Sequence, residues 1–235
     1  MPIGGIGKRL AEAGFKKPKP LIKVMSVPMF IRALYFLSEV KIPFSIHIIV
    51  NSNILDVREV QKVLNDYHIN ASLYEISFHT KGSAETVSFI KEKLDMTAPT
   101  LIVDCDIEFH SPNFFNHINS SLYNNEFDAS VIYFESNDFK YSYVKFQDNS
   151  SLATEIVEKE VISNNAIIGA YFFSKFEFFE KGFALLKTSN LNNREEYYIS
   201  RVLNSLITKG YRVFGFEGGM NNYGTYDELK KYIHE

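Results

Sequence analysis

A single cysteine, Cys105, stands among 235 residues, so no internal disulfide can form and a disulfide-held secreted scaffold is excluded. No run of 18 or more apolar residues exists that could cross a bilayer as a helix. The six histidines (His47, His68, His79, His110, His117 and His234) show neither HxH nor HxxxH spacing, and with one cysteine a zinc site is not expected. There is no excess of positive charge either: 25 Lys and Arg face 28 Asp and Glu, a net charge of −3. Such a chain has no basic field to hold nucleic acid or an anionic membrane as its main partner, so an anionic ligand has to be caught by a local cluster. The start, Met1-Pro2-Ile3 followed by glycines, lacks the basic, apolar and small-residue succession of a secretory signal. A reducing, cytoplasmic setting is expected.

What is present is an ordinary globular composition, 46% hydrophobic, 15% aromatic and 23% charged, in a length that an α/β fold commonly fills as one domain. Ser45–Val50, Ala71–Ile76 and Thr100–Asp104 read as apolar strands. Met29–Glu39, Asp56–Tyr67 and Ala84–Leu94 carry apolar residues at three- and four-residue spacing and read as helices. Strand alternating with helix implies a parallel sheet covered on both faces. Beyond Asp106 the rhythm changes. Ser111-Pro112 reads as a helix start, Ala129–Phe134 and Tyr141–Phe146 as strands of more antiparallel character, and Asn165–Phe173 as a further apolar strand. Helices are expected over Phe176–Leu186, Glu195–Lys209 and Tyr226–Ile233, with a strand at Arg212–Phe216. The expected fold is mixed α/β with a mainly parallel central sheet in a three-layer α/β/α arrangement. One domain is expected to span 1–235, in two parts that divide at about residue 110. In such sheets ligands bind outside the carboxyl ends of the strands, which draws attention to the loops Gly4–Lys19, His79–Glu85, Cys105–His110 and Gly218–Thr225.

The first loop reads Gly4-Gly5-Ile6-Gly7-Lys8-Arg9-Leu10, followed by Lys17-Pro18-Lys19-Pro20-Leu21. Glycines let backbone N–H groups approach a phosphate, and the cations that follow offset charge those dipoles leave. A dinucleotide fold would need a full strand before the glycines, an uninterrupted helix after them and an acid about 20 residues on; prolines 18 and 20 and the region around Val24 do not supply these. Asp106 ends an apolar strand, where a hard carboxylate suits Mg²⁺ and a turn or cap aspartate is the structural alternative. Asp104, two residues earlier, reads as a supporting acid, and Cys105 as a small core residue.

Taken in order, GGxGxRL, PKPL, Lys81-Gly82-Ser83-Ala84-Glu85-Thr86, Val103-Asp104-Cys105-Asp106, Glu158-Lys159, Gly169-Ala170-Tyr171-Phe172-Phe173 and Gly224-Thr225-Tyr226-Asp227-Glu228-Leu229 resemble the motifs of the sugar-1-phosphate nucleotidyltransferase family with its GT-A-like fold. The wording is most similar to members of the capsule and surface-polysaccharide type. The resemblance implies in-line attack of a phosphate oxygen on the α-phosphorus of a nucleoside triphosphate, with pyrophosphate leaving and Mg²⁺ as cofactor. It implies that Gly4, Gly5, Gly7, Lys8, Gly82, Glu85 and Asp104 bind nucleotide. Arg9, Lys19 and Asp106 would be catalytic, Arg9 on the β- and γ-phosphates and Lys19 near the α-phosphate. Asp106 and Asn222 would be the metal ligands, Asn222 standing where many relatives carry a carboxylate. Lys159, Asn165, Gly169, Glu195 and Glu196 would bind the acceptor. Glu85 could equally open its helix, and Glu195 and Glu196 could equally form a solvated first turn. Asp227 reads as an early-helix acid with Thr225 or Tyr226 near the cap, and the phenylalanines at 172, 173, 176, 178 and 179 as core.

The implied partners are a triphosphate, with CTP, UTP or dTTP favoured, and a phosphorylated small molecule, most readily a sugar 1-phosphate; a homodimer stays open. Cytidylyl transfer to phosphocholine and a silent nucleotide-binding module are the alternatives. A glycosyltransferase would also fit Asp104-Cys105-Asp106, and GKRL with PKPL decides against it. Relatives place four or five apolar residues before the glycine loop, whereas this chain offers three. Either a start site lying downstream of the real one or a short, weakened first strand is therefore expected. In the first case, restoring native upstream residues should raise the melting temperature.

Overall fold

The computed structural model describes residues 1–5, 7–120, 126–189 and 196–232. The order of elements begins β1 (Pro2–Ile3), α1 (Lys8–Glu12), β2 (Lys23–Val24), β3 (Val27–Pro28), α2 (Met29–Arg32), β4 (His47–Asn51), α3 (Val57–Asp66), β5 (Ser72–Ile76), α4 (Ser83–Ser88) and β6 (Thr100–Val103). It continues β7 (Ile107–His110), α5 (Pro112–Asn119), β8 (Ala129–Glu135), β9 (Ser142–Phe146), β10 (Ala153–Glu158) and β11 (Asn165–Phe173). The chain closes with α6 (Phe176–Ser189), α7 (Ile199–Ile207), β12 (Val213–Glu217), β13 (Gly219–Asn222) and α8 (Tyr226–Leu229). Two compact units emerge, one of Met1–His79, Val103–His110 and Met220–Glu235, the other of Thr80–Ile102 and Ser111–Gly219.

The first unit is built on a parallel sheet ordered β1-β4-β5. Its strand β4 is almost wholly buried, as a strand covered on both faces must be, and pairs His47 with Ser72 through Asn51 with Ile76 on β5. The opposite neighbour, β1, has only two paired residues, Pro2 with Ile49 and Ile3 with Val50. Ile3 nevertheless joins the core of Phe30, Ile31, Ile48, Val50, Val60 and Leu64. Helix α3 starts where Asp56 accepts a hydrogen bond from the Arg58 N–H at 2.8 Å. The expected helix over Met29–Glu39 is α2 followed by a 3₁₀ turn at Tyr35–Glu39; α2 is buried on every side, so the amphipathic spacing across the whole span came from two separate short elements.

The second unit holds a mixed sheet ordered β10-β9-β11-β8-β12, with β6 also pairing β11. The strands β10, β9, β11 and β8 run antiparallel and β12 is parallel to β8, in line with the change of character expected after Asp106. Phe114 packs edge-on against Phe115, Phe172 and Phe216, and Phe179 lies between Phe173, Phe176 and Phe183. Phe172, Phe173, Phe176 and Phe179 are thus core residues, as expected. Strand β10 has no counterpart in the sequence reading: its alternation places only Ala153 and Ile156 inside, too few apolar residues to mark it.

Candidate active site

In the first unit two of the motifs meet physically. Gly7 is left-handed, at φ 62° and ψ 33°, and caps α1; a side chain there would come within 2.8 Å of the Lys19 Cβ. Glycine at this position lets the first loop close over the lysine stem. Lys19 itself opens a 3₁₀ turn after Pro18. Its ammonium lies 2.5 Å from Asp106 Oδ2, both side chains being about one-fifth exposed. Burial alone would lower the lysine pKa, but the Asp106 charge and hydrogen bond outweigh it and hold the group above its ordinary value. Lys8 and Arg9 are exposed on α1, Lys8 with Glu12 as a distant partner at 3.8 Å. Gly4 packs against Asn51 and Gly5 has open space beside it.

Asp106 and Asn222 are brought together at Gly224. A Cβ on Gly224 would sit 2.6 Å from Asp106 Oδ2 and 3.1 Å from Asn222 Oδ1, so the two oxygens flank a space that only glycine leaves open. Among the described residues no group of three or more His, Cys, Asp or Glu could hold a metal ion. One carboxylate and one amide oxygen are hard donors that fit a divalent cation taking its remaining ligands from water and phosphate. Asp104 is half-buried, and its charge acts on Lys19 as well, more weakly than that of Asp106.

The end of β13 that carries Asn222 is fastened from behind by residues the sequence analysis does not single out. Tyr223 donates its backbone N–H to the Asp106 carbonyl at 2.8 Å, and its hydroxyl donates to Glu108 at 2.9 Å. Arg32 closes the triangle at 2.7 Å to Glu108 and 3.2 Å to the tyrosine oxygen. Burial pushes the Tyr223 hydroxyl up to about 12, so it stays a donor at every physiological pH. Tyr223→Phe should therefore cost about 1–2 kcal/mol, seen as an earlier urea midpoint; an unmoved midpoint would show that Arg32 and Glu108 suffice. The only sequence signal was a lone arginine inside an apolar helix. Thr225, as expected, caps α8, and exchanges bonds with Glu228.

Cys105 packs against the core of the first unit, and burial pushes its thiol up to about 12. At pH 8 it should react with a disulfide reagent at least about a hundredfold more slowly in the folded protein than in urea. Equal rates would contradict the burial.

In the second unit Gly82 adopts φ 147° and lies against the Tyr197 backbone; a Cβ would meet Tyr197 O at 2.5 Å. Two reciprocal bonds lock the contact, Tyr197 N–H to Lys81 O at 2.8 Å and Ala84 N–H to Tyr197 O at 2.9 Å. This is why the helix expected from Glu195 begins only at Ile199: the Tyr197 backbone is committed elsewhere. Glu85, in the first turn of α4, turns back to accept from the Lys81 N–H at 2.6 Å. Lys159 is left-handed at φ 57°. Its ammonium lies 3.6 Å from Glu158 and 2.7 Å from the Tyr198 hydroxyl. Glu158 in turn accepts from Ser200 at 2.6 Å and from Ser142. Asn165 begins β11, and Gly169 falls inside that strand's register shift against β8, between Ile167 and Tyr171. Glu196 is exposed, and Glu195 lies outside the described residues. Tyr198, Ser142 and Ser200 are additions to the sequence reading.

Solved structures share this fold. The solved nucleoside-diphosphate-sugar pyrophosphorylase of Vibrio cholerae RC9 superposes with a TM-score of 0.83 at 20% identity, covering 100% of both chains. The inositol-1-phosphate CTP transferase of T. maritima reaches 0.76 at 18% identity, covering 98% of this chain and 91% of that one. A UDP-glucose pyrophosphorylase complexed with UDP-glucose reaches 0.76 at 17% identity, covering 98% and 94%. At these identities the likeness is one of fold. No curated protein sequence matches. The family described as Nucleotidyl transferase matches over residues 3–230, nearly the full length, and the chain belongs to that family: it is a nucleotidyltransferase.

Proposed function

We propose that the protein joins a nucleoside triphosphate to a phosphorylated small molecule, most readily a sugar 1-phosphate, releasing pyrophosphate and yielding an activated precursor for capsule or lipopolysaccharide synthesis. The observation that carries this reading is the Lys19–Asp106 pair at 2.5 Å with Asn222 beside it at Gly224. It sets a cation and hard oxygen donors side by side, as charge-stabilised phosphoryl chemistry needs. In this reading Gly4, Gly5, Gly7 and Lys8 cradle the triphosphate, with Gly82, Glu85 and Asp104 as further nucleotide contacts. Arg9 neutralises the β- and γ-phosphates, and Lys19 moves from Asp106 toward the α-phosphate. Asp106 and Asn222 would hold Mg²⁺, which when bound offsets phosphate charge during displacement. Lys159 binds the acceptor phosphate, and Asn165, Gly169, Glu195 and Glu196 would bind its remaining part.

CTP, UTP and dTTP are the favoured nucleotides. The T. maritima structure bears the name of a CTP transferase acting on inositol 1-phosphate, so acceptors other than sugar 1-phosphates belong in the test. Pyrophosphate release with Mg²⁺ should be measured for CTP, UTP, dTTP, GTP and ATP against sugar 1-phosphates, inositol 1-phosphate and phosphocholine. Release confined to particular combinations is expected. Silence throughout, with nucleotide binding intact, would favour a binding module.

A further inference from the structure

We infer that the Tyr198 hydroxyl is a second donor to the acceptor phosphate, acting beside Lys159, an inference that rests on reading Lys159 as the acceptor-phosphate cation. The Lys159 ammonium donates to the Tyr198 oxygen at 2.7 Å and lies 4.3 Å from its ring centroid. A hydroxyl that accepts from an ammonium keeps its own proton for a second bond and is polarised toward giving it. No acceptor for that proton occurs among the described residues. The pair thus presents N–H and O–H donors close enough together to reach two oxygens of one phosphate.

Both donors are held from behind. Lys159 sits in a left-handed conformation uncommon for a residue with a side chain, at the end of β10, with its N–H bonded to Tyr141 O at 3.1 Å. Glu158 is only 17% exposed in its side chain, and Ser142 and Ser200 both donate to its Oε2, while Oε1 faces Lys159 at 3.6 Å. Tyr198 follows the residue whose backbone is tied to Lys81 and Ala84, which fixes where its ring starts. Ser200, two residues on, is fully buried in the first turn of α7. The glutamate therefore orients the ammonium while its own charge is shared with two hydroxyls. That leaves Lys159 and Tyr198 as the remaining donors of the cluster, the lysine 45% exposed and the tyrosine half-buried. A phosphate monoester suits this cluster better than a carboxylate, because it offers three oxygens to a mixed set of donors.

The probe is inorganic phosphate, titrated calorimetrically into the wild-type protein, Lys159→Ala, Tyr198→Phe and Tyr198→His. The heat that Lys159→Ala removes reports this site, since phosphate held by other cations persists in that variant. Tyr198→Phe should weaken that component about tenfold with its melting curve unchanged. Tyr198→His, which restores a donor, should recover part of the affinity. Wild-type affinity in Tyr198→Phe, with binding lost in Lys159→Ala, would overturn the role of the hydroxyl and leave the acceptor site in place. Wild-type binding in Lys159→Ala, or no binding by the wild-type protein, would overturn both.

Discussion

Lys19→Ala should lose about a hundredfold or more of the pyrophosphate-releasing activity while the protein stays folded. A cation aimed at charge that develops in the transition state contributes on the order of 3 kcal/mol to lowering the barrier. Two local features position Lys19, the proline-started turn that presents it and the glycine at position 7 that leaves room for its stem. The variant leaves Asp106 without its partner, yet that carboxylate keeps about one-fifth exposure and can be hydrated, so the loss of stability should stay well within a typical margin of about 5–15 kcal/mol. The pH dependence has a definite sign. The lysine pKa is raised on folding, so its contribution to stability is complete below the unfolded value of 10.5 and is lost as pH rises through the folded value. Between pH 6 and 9 Lys19 should add no slope to a stability profile. Circular dichroism alongside the assay separates the cases: activity near wild type, or a collapsed spectrum, would contradict the role given to Lys19.

Gly82→Ala should be the most destabilising single change at the candidate site. The alanine Cβ would meet Tyr197 O at 2.5 Å, Tyr197 C at 2.8 Å and Tyr197 N at 2.9 Å, all backbone atoms that cannot rotate away. The positive φ adds strain, since a side chain rarely adopts it. Relief requires breaking at least one of the two bonds that tie Tyr197 to Lys81 and Ala84. A cost of about 3 kcal/mol is expected, lowering the melting temperature by roughly 6–12 °C in a protein of this size. Because the shift moves Tyr197 and with it Tyr198, phosphate binding at Lys159 should weaken in the same variant. A melting temperature within a degree or two of wild type would show that the turn can open without penalty.

The motifs that carry the site could be read because each combines residue types with few other uses: glycines followed by cations, a carboxylate ending an apolar strand, an acid–lysine pair. Their partners were harder to see. That Gly7 meets Lys19, and Asp106 meets Asn222, joins residues up to 116 positions apart, and no local pattern records such distances. Strand β11 matched its expected bounds because nine largely buried residues leave a strong apolar run, whereas β7, β10 and β13 are short and half-exposed and their alternation is faint. Tyr198 looked like one more aromatic among fourteen tyrosines and twenty-one phenylalanines, most of which are structural. Its distinguishing feature, a lysine ammonium on its hydroxyl, exists only in three dimensions.

The central claim, that two phosphorylated substrates are joined with loss of pyrophosphate, is tested most directly by following a productive substrate pair by ³¹P spectroscopy with Mg²⁺ and again with excess chelator. The account predicts two mutually coupled resonances of a new diphosphate ester and one equivalent of pyrophosphate, both abolished by the chelator and by Lys19→Ala. Formation of nucleoside monophosphate or orthophosphate alone, or a product that appears unchanged in the presence of chelator, would contradict it.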